Sequence, residues 1–296
     1  MTTSLAHRLA HGPLVVGDGA MGTELQRAGL EPGACGDAWN LTHPDKVQAI
    51  HASYVDAGAE HVLTNTFGTN RFVLDRYDLA GRVTDIARAA ARIARDAAGT
   101  RAFVLGDIGP CGGLLEPLGE VRTADLETSL RATVAALLEE GVDGLLIETM
   151  TAVEELSIAL RVAGELGAPV VVASMAFDRA RDRFRTMMGV TPEQAGAAAR
   201  DGGATLVGAN CGRGLEPSYF AELGRSLRAA SGLEVMLQPN AGQPVLQDEV
   251  VVYPLAPEAM AEQLMTLAPL ARVVGGCCGT TPDHIRAFAR RVQRAR

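Results

Sequence analysis

The chain has 296 residues, of which 47% are hydrophobic and 21% charged, and its formal net charge at pH 7 is −8. An acidic chain without a basic block is not typical of proteins that bind nucleic acid, and no apolar run reaches the ~18 residues that a membrane span requires. Because residues 1–11 lack the apolar core and cleavage site of a signal peptide, we expect a cytoplasmic protein.

Short apolar runs alternate with amphipathic stretches from one end of the chain to the other. The runs predicted as strands are residues 14–17, 61–66, 102–107, 144–148, 169–174, 205–209, 234–238 and 272–274. The predicted helices follow them in turn, at 45–57, 83–98, 124–140, from 151, from 191, 217–230, 257–267 and 282–292. Two of these helices open on a predicted capping box, Thr151-Ala-Val-Glu154 and Thr191-Pro-Glu-Gln194.

Eight strand–helix units of similar length, without a linker between them, predict an α/β fold with a single (β/α)8 TIM barrel over residues 1–296. Continuous apolar strands separated by helices are typical of a parallel sheet that is buried on both faces. A doubly wound open sheet is the alternative. It is weakened because no G-x-G-x-x-G fingerprint follows the first strand.

The barrel prediction requires that functional residues gather at the carboxyl ends of the strands. The residues at or just after these ends are Asp18, Asn65, Thr66, Asp107, Glu148, Ser174, Cys211, Asn240, Cys277 and Cys278. None of the 6 histidines lies there, and Lys46, the only lysine, falls in a predicted helix. Schiff-base chemistry, which is common in α/β barrels, therefore has no nucleophile in this chain.

Cys277 and Cys278 stand side by side in Gly275-Gly-Cys-Cys-Gly-Thr-Thr-Pro282, at the end of the eighth strand. Adjacent cysteines rarely form a disulfide, and an odd total of 5 cysteines without signs of secretion favours metal ligands instead. Cys211 is the best third ligand, because the sixth and eighth strands flank a single strand. Three thiolates with one open position are typical of a catalytic zinc, with a structural zinc or inert buried thiols as the alternatives.

Three stretches resemble the homocysteine S-methyltransferase family: the cysteine pair with its neighbours, Gly208-Ala-Asn-Cys-Gly212 and Asp18-Gly-Ala-Met-Gly-Thr23. The resemblance covers essentially the whole chain. Thr64-Asn-Thr-Phe67 and Pro239-Asn-Ala-Gly242 are most similar to the homocysteine-binding domain of cobalamin-dependent methionine synthase. The resemblance implies a TIM barrel that binds Zn2+ and homocysteine.

The resemblance also implies roles for single residues. Zinc is expected on the residues that would carry catalysis, which are Cys211, Cys277 and Cys278. The candidate substrate-binding residues are Asp18, Glu148, Thr66, Asn65 and Asn240. In the family, the position of Asn240 can fill the open site of the zinc when substrate is absent.

Each candidate also has a structural alternative. Asp18 and Asn240 can instead shape turns, and Glu148 can pair with a buried arginine. Asn65 and Thr66 can satisfy backbone groups at a strand end. The two cysteines outside the family pattern are predicted bystanders, Cys35 and Cys111.

The expected reaction is the methylation of homocysteine to methionine, with the substrate thiol activated on zinc. The expected donor is methylcobalamin on a separate corrinoid protein, since neither a cobalamin-binding nor a folate-binding domain fits within 296 residues. The aromatic residues near the strand ends, Trp39, Phe67 and Phe177, are few for a cage around a cationic donor.

Several alternatives stay open at this point. The donor can be S-methylmethionine, S-adenosylmethionine or betaine, and the acceptor can be another thiol. A function of another class is a non-catalytic zinc- or thiol-binding module of a larger assembly. The residues indicate no particular oligomeric state.

Overall fold

The structure is a computed structural model that describes residues 3–180, 183–247 and 250–295. Eight parallel strands form one sheet in the order β1-β8-β7-β6-β5-β4-β3-β2, so strands that follow each other in the chain are neighbours in space. The strands are β1 Val15–Val16, β2 His61–Leu63, β3 Phe103–Ile108, β4 Gly144–Met150, β5 Val171–Met175, β6 Leu206–Asn210, β7 Glu234–Gln238 and β8 Val273–Val274. The predicted single (β/α)8 TIM barrel is confirmed.

Hydrogen bonds between residues of the outer strands β1 and β2 and their neighbours draw the sheet into a barrel. The backbone N–H of Glu60 donates to the carbonyl of Val16 at 2.7 Å. The backbone N–H of Leu63 donates to a side-chain oxygen of Asp18 at 2.8 Å. The carboxylate of Asp18 therefore takes the place of a backbone acceptor at the carboxyl end of this seam.

A ring of eight helices surrounds the sheet, one after each strand. They are α1 Pro44–Ala57, α2 Val83–Ala98, α3 Thr123–Glu139, α4 Val153–Glu165, α5 Pro192–Asp201, α6 Phe220–Ser231, α7 Pro257–Met265 and α8 Pro282–Ala295. Shorter helices outside the ring are Leu5–His11, Gly22–Arg27, Trp39–Thr42 and Arg71–Asp75. None of the helices in the described part of the chain has the length and apolar content that crossing a bilayer requires.

Alternation along the strands divides the barrel interior into an apolar floor and a polar mouth. The floor side chains pack on Leu5 and Leu9 of the first helix and are Val15, Leu105, Leu146, Val172, Leu206, Met236 and Val273. Successive side chains of a strand point to opposite faces, so the residues two positions further on share the inner face. These residues are Gly17, Asp107, Glu148, Ser174, Gly208, Gln238 and Gly275.

The predicted capping box at Thr191 is confirmed: its side chain accepts from the backbone N–H of Gln194, whose side chain accepts from the backbone N–H of Thr191. The predicted box at Thr151 is wrong. Strand β4 continues to Met150, so α4 starts only at Val153, with Ala152 as its N-cap and no side-chain cap. Thr151 therefore stands one residue too early to cap α4.

Two hairpins in the loops at the mouth were not predicted. One pairs Asp178–Ala180 with Arg183–Arg185 after β5, and the other pairs Val245–Gln247 with Val250–Val252 after β7. Both are antiparallel, which separates them from the parallel barrel sheet. They extend the loops on the side of the barrel where the strands end.

Candidate active site

The sulfur atoms of Cys211, Cys277 and Cys278 meet at the mouth of the barrel. All three lie within 4.8 Å of one another. The sulfur of Cys278 is 4.0 Å from that of Cys211 and 4.0 Å from that of Cys277. The sequence prediction that strands six and eight bring these thiols together is confirmed, because β6 and β8 both flank β7.

Backbone hydrogen bonds to the end of β7 hold the cysteine-bearing turns in place. The N–H of Cys211 donates to Gln238 at 3.2 Å, and that of Cys277 donates to Pro239 at 2.9 Å. The carbonyl of Cys278 accepts from Ala241 at 3.0 Å. Strand β7 and the residues after it therefore position both cysteine-bearing turns.

Gly279 and Thr280, which directly follow the two cysteines, are each required by a specific contact. Gly279 has φ +77°, and a Cβ atom there would lie 2.1 Å from the ring of Tyr253, so only glycine fits. The Thr280 hydroxyl donates to the carbonyl of Cys277 at 2.7 Å and accepts from the N–H of Ala20 at 2.9 Å. Thr280 therefore ties the loop after β1 to the turn that carries the cysteines.

Two of the three sulfurs face a neutral hydrogen-bond donor from another part of the mouth. The amide nitrogen of Asn240 is 3.7 Å from the sulfur of Cys211, and that of Asn210 is 3.9 Å from the sulfur of Cys277. The ring of Tyr253 packs against Gly279, which places Tyr253 next to the third sulfur, that of Cys278. Donors of this kind stabilise thiolates and orient them.

The three thiols do not hold their protons equally. The nearby thiols of Cys277 and Cys278 lower the pKa of the Cys211 thiol, and the proximity of Cys211 raises the pKa of both. The cluster therefore favours one thiolate and keeps protons on its other sulfurs. A divalent cation would displace those protons, because metals bind thiolates rather than thiols.

The donor set fits zinc. Three sulfur ligands suit this metal, which prefers four ligands in a tetrahedron. The side-chain oxygen of Asn240 is buried and has no hydrogen-bond partner in the described part of the chain, although its amide nitrogen lies beside Cys211. An orphaned acceptor at this position is a suitable fourth ligand.

Three buried carboxyl groups form the other half of the mouth: Asp18 is 2% exposed, Asp107 5% and Glu148 9%. Burial raises the pKa of all three, that of Glu148 to about 8, and the charge of Glu148 adds to the shift of the other two. One oxygen of Asp18 and one of Asp107 have no hydrogen-bond partner among the described residues. None of the ion pairs in the described chain involves these groups, so a cationic ligand is their natural complement.

Asn65 and Thr66 lie close to this site, but their side chains donate hydrogen bonds to backbone carbonyls. The amide nitrogen of Asn65 donates to the carbonyl of Gly36 at 3.0 Å and to the side chain of Asn40 at 3.2 Å. The hydroxyl of Thr66 donates to the carbonyl of Asp107 at 2.7 Å. Both residues therefore satisfy backbone groups at the strand end, which is the structural alternative to substrate binding. They also fix the loop beside Asp107.

The remaining cysteines lie apart from the sulfur cluster, and the predicted aromatic residues Trp39 and Phe177 are buried. Cys111 is buried, and its N–H donates to a carboxylate oxygen of Glu155 at 2.7 Å. Cys35 packs against a small apolar cluster under the loop after β2. Trp39 is buried with the amino group of Lys46 4.7 Å from its ring centre, and Phe177 is fully buried.

Asn210 and Tyr253 are site residues that the sequence analysis missed. Asn210 directly precedes Cys211 and lies four residues beyond Leu206, on the inner face of β6, so alternation along the strand could have identified it. Tyr253 follows a hairpin that was not predicted and is remote from any strand end. Nothing in the sequence pattern places it beside Cys278.

Comparison with known proteins identifies the relatives of this chain. A family profile described as homocysteine S-methyltransferase matches residues 15–292. The methionine synthase of Mycobacterium tuberculosis is 36% identical over 93% of this chain, and that of Mycobacterium leprae is 35% identical over 99% of it. The chain spans about a quarter of the length of these relatives, 24% and 25%.

A solved structure has the same fold. The metallated form of the homocysteine methyltransferase MmuM from Escherichia coli superposes with a TM-score of 0.76 and 22% identity, covering 96% of this chain and 98% of that chain. At 22% identity, this similarity establishes the fold alone. The family profile covers every barrel strand and all three clustered cysteines, and with the two relatives it shows that the chain belongs to the homocysteine S-methyltransferase family.

Proposed function

We propose that this barrel transfers a methyl group to the sulfur of homocysteine and forms methionine, with Zn2+ on Cys211, Cys277 and Cys278. The observation that carries the proposal is the sulfur cluster beside buried carboxyl groups at one mouth. Sulfur ligands suit a metal that binds a thiol, and unpaired carboxylates suit an ammonium group. Homocysteine has both groups in one molecule.

A zinc ion held by the cysteines lowers the pKa of a bound thiol and leaves its sulfur nucleophilic. The chain itself supplies buried carboxyl groups, amide donors beside two of the three sulfurs, and the side-chain oxygen of Asn240 as a ligand that substrate can replace. Methyl transfer forms a carbon–sulfur bond and breaks the bond between the methyl group and its donor. The electron pair of that bond stays with the donor, and the proton of the thiol leaves to solvent.

Glu148 and Asp18 are proposed to bind the ammonium group of homocysteine. Glu148 lies in the same hydrogen-bond network as the cysteines, since Asn210 contacts both its carboxylate and Cys277. One oxygen of Asp18 is used at the barrel seam, and its other oxygen is left for a ligand. An ammonium group would hold both carboxyl groups in their ionised form.

The donor is proposed to be methylcobalamin delivered by a separate corrinoid protein. Of the aromatic side chains near the mouth, Trp39 and Phe177 are buried, which leaves few for a cage around a sulfonium or quaternary ammonium donor, Phe67 and Tyr253 among them. By contrast, every large apolar side chain that is exposed in the described residues lies in a loop after β2, β3, β5 or β7. We call them the apolar rim: Phe67, Tyr77, Leu114, Leu118, Met187, Val245, Leu246 and Val251.

A set of exposed apolar side chains in the loops that follow the strand ends is typical of a surface that another macromolecule covers. Leu118 and Leu246 are 70% and 75% exposed, and burial against a partner would remove this apolar surface from water. The relatives named methionine synthase are about four times as long as this chain, so they hold further domains that could supply such a partner surface. For this chain the corrinoid protein is a proposal that rests on the rim.

A methionine-formation assay tests the proposal. The zinc-loaded chain is incubated with homocysteine and, in separate reactions, with free methylcobalamin, a methylated corrinoid protein, S-methylmethionine, S-adenosylmethionine or betaine. We expect slow turnover of free methylcobalamin and much faster turnover of the protein-bound form. Replacing Leu246 by aspartate should reduce only the protein-bound reaction, because it places a charge in the rim and leaves the pocket intact.

Two results would contradict parts of this proposal separately. Rapid use of S-methylmethionine or betaine by the chain alone would contradict the corrinoid protein as donor. The assignment of homocysteine as the acceptor would stand. Zinc binding without turnover of any donor would indicate the non-catalytic zinc-binding module instead.

A further inference from the structure

Asn210 is the best-connected side chain at the mouth, and it is completely buried. Its amide nitrogen donates to a carboxylate oxygen of Glu148 at 2.9 Å and to the hydroxyl of Thr149 at 2.7 Å. The same nitrogen is 3.9 Å from the sulfur of Cys277. One neutral side chain therefore contacts a member of the carboxyl group cluster and a member of the sulfur cluster.

The orientation of the Asn210 amide is fixed by its other contacts. Its oxygen accepts from the backbone N–H of Thr149 at 3.0 Å and from the hydroxyl of Ser174 at 2.7 Å. A backbone N–H can only donate, so the oxygen must face Thr149 and the nitrogen must face Glu148 and Cys277. The side chain cannot rotate by half a turn without losing these contacts.

The backbone on both sides of this contact adopts an unfavourable conformation. Thr149, directly after Glu148, and Cys211, directly after Asn210, both have φ +57°, a region that residues other than glycine rarely occupy. Such strain persists only where surrounding contacts enforce it, and it is concentrated at functional sites. Asn210 provides these contacts for Thr149 through both the backbone N–H and the hydroxyl.

We propose that Asn210 is a positioning residue that fixes the distance between the metal-binding sulfurs and Glu148, and thereby selects homocysteine over its shorter analogue cysteine. The inference rests on the proposed function, in which the thiol binds at the cysteines and the ammonium group at Glu148. A substrate that bridges both points must match their spacing, and cysteine is one methylene group shorter than homocysteine. Loss of Asn210 frees Glu148 and Cys277 to move independently, so a shorter bridge becomes acceptable.

The test compares Asn210→Ala with Asn70→Ala. Asn70 is also a buried asparagine, but it caps the helix Arg71–Asp75 and does not contact the cysteines or the carboxyl groups of the mouth. Zinc affinity is measured by competition with a chelator, and the binding of homocysteine and cysteine to the zinc-loaded proteins by calorimetry. For Asn210→Ala we expect zinc affinity to fall about tenfold and the preference for homocysteine over cysteine to fall by about tenfold or more.

A double-mutant cycle gives a second readout. If Asn210 acts through Glu148, the losses of homocysteine affinity in Asn210→Ala and Glu148→Gln will be strongly non-additive in the double variant. Ser174→Ala, which removes only the hydroxyl that holds the amide oxygen of Asn210, should shift the preference in the same direction by a smaller factor. It keeps the inference testable if Asn210→Ala does not fold.

The outcomes separate this inference from the proposed function. If the unmodified chain binds zinc and homocysteine, but Asn210→Ala and Ser174→Ala keep the same preference as Asn70→Ala, the inference is overturned and the function stands. If the unmodified chain binds zinc but not homocysteine, the proposed function fails and the inference fails with it. A collapse of the preference in Asn210→Ala with a smaller shift in Ser174→Ala, and no change in Asn70→Ala, supports both.

Discussion

At the scale of single residues, the mouth of the barrel combines two sets of groups that oppose burial. Three sulfurs within 4.8 Å share their protons unequally, and three carboxyl groups lie buried without a basic partner. Each set costs folding energy when it has no ligand, because desolvated charge is unfavourable. In the proposed function, ligands would offset both costs, a cation at the sulfurs and an ammonium group at the carboxylates.

The first residue-scale prediction concerns the metal. Purified protein should contain about one zinc per chain, and Cys277→Ala should lose most of it, since two thiolates do not complete the site. Metal content by mass spectrometry and folding by circular dichroism check this. Cys35→Ala is the matched control and should keep its zinc, because Cys35 lies in a separate cluster. Zinc retained in Cys277→Ala would refute the ligand assignment.

The second residue-scale prediction concerns the substrate ammonium group. Glu148→Gln keeps the shape of the side chain but removes its charge, so homocysteine should bind about ten- to a hundredfold more weakly, the range for a hydrogen bond to a charged group. Zinc content should not change. Glu155→Gln is the control: Glu155 is also buried, but it accepts from Cys111 outside the site. Equal effects of the two variants would shift the ammonium site to Asp18 or Asp107.

At the scale of elements, the sequence predicts where helices and strands lie better than it predicts the hydrogen bonds at their ends. Helix α2 begins and ends where the amphipathic pattern predicts, because its periodicity persists over the whole length. Thr151 and Thr191 begin the same capping signature, yet only Thr191 caps a helix. The difference lies in how far β4 extends, and strand length is set by pairing with β5 rather than by the residues near Thr151.

The same reasoning explains which parts of the site were predictable. Glu148 and Cys277 lie at strand ends, and alternation fixes the face on which they point. Tyr253 follows the hairpin of Val245–Gln247 and Val250–Val252 and packs against Gly279, next to Cys278. Contacts made by a long loop depend on the packing of the whole barrel and have no local signature.

The two threonines give an element-scale prediction. Thr191→Ala should lower the free energy of unfolding by about 1 kcal/mol, because the backbone N–H of Gln194 loses its acceptor. Thr151→Ala should change it by less than about 0.5 kcal/mol, since the Thr151 side chain does not cap α4. Denaturant unfolding of both variants measures the difference. Equal losses would mean that the Thr151 hydroxyl has an unrecognised structural role.

At the scale of the whole molecule, the amino end of the barrel is a closed apolar floor and the carboxyl end an open polar mouth. The helix Leu5–His11 covers the floor through Leu5 and Leu9, and His61 lies among the same apolar side chains. Stability and chemistry are therefore placed at opposite ends of the barrel. Changes at the floor are expected to alter folding without altering the site.

His61 gives the pH prediction that belongs to this scale. Burial lowers its pKa from 6.5 to about 4, and its Nε2 atom has no hydrogen-bond partner in the described chain. Between these values the unfolded chain binds a proton that the folded chain does not. The stability that His61 contributes by staying neutral is therefore complete above about pH 6.5 and is lost as the pH falls towards about 4, by roughly 1.4 kcal/mol per pH unit.

Comparing His61→Leu with the unmodified chain isolates this contribution, because the buried carboxyl groups, whose raised pKa acts with the opposite sign, are common to both. Between pH 4.5 and 6, the slope of the free energy of unfolding against pH should be lower in algebraic value for His61→Leu by that amount. His7→Leu is the control, since His7 is exposed. An unchanged slope in His61→Leu would show that the histidine is protonated or partnered in the folded protein.

The sulfur cluster joins stretches that lie 67 residues apart in the chain and on either side of β7. An ion bound there is a reversible cross-link across one quarter of the barrel wall, so metal supply becomes a control on how tightly that quarter is held. Hydrogen exchange should show it: chelation should speed exchange in β6, β7 and β8 and leave β2 and β3 unchanged. In Cys211→Ser the chelator should have no effect. A cell short of zinc would then carry a barrel that is loosened on one side and open to proteolysis there, so the amount of the protein would follow the supply of the metal.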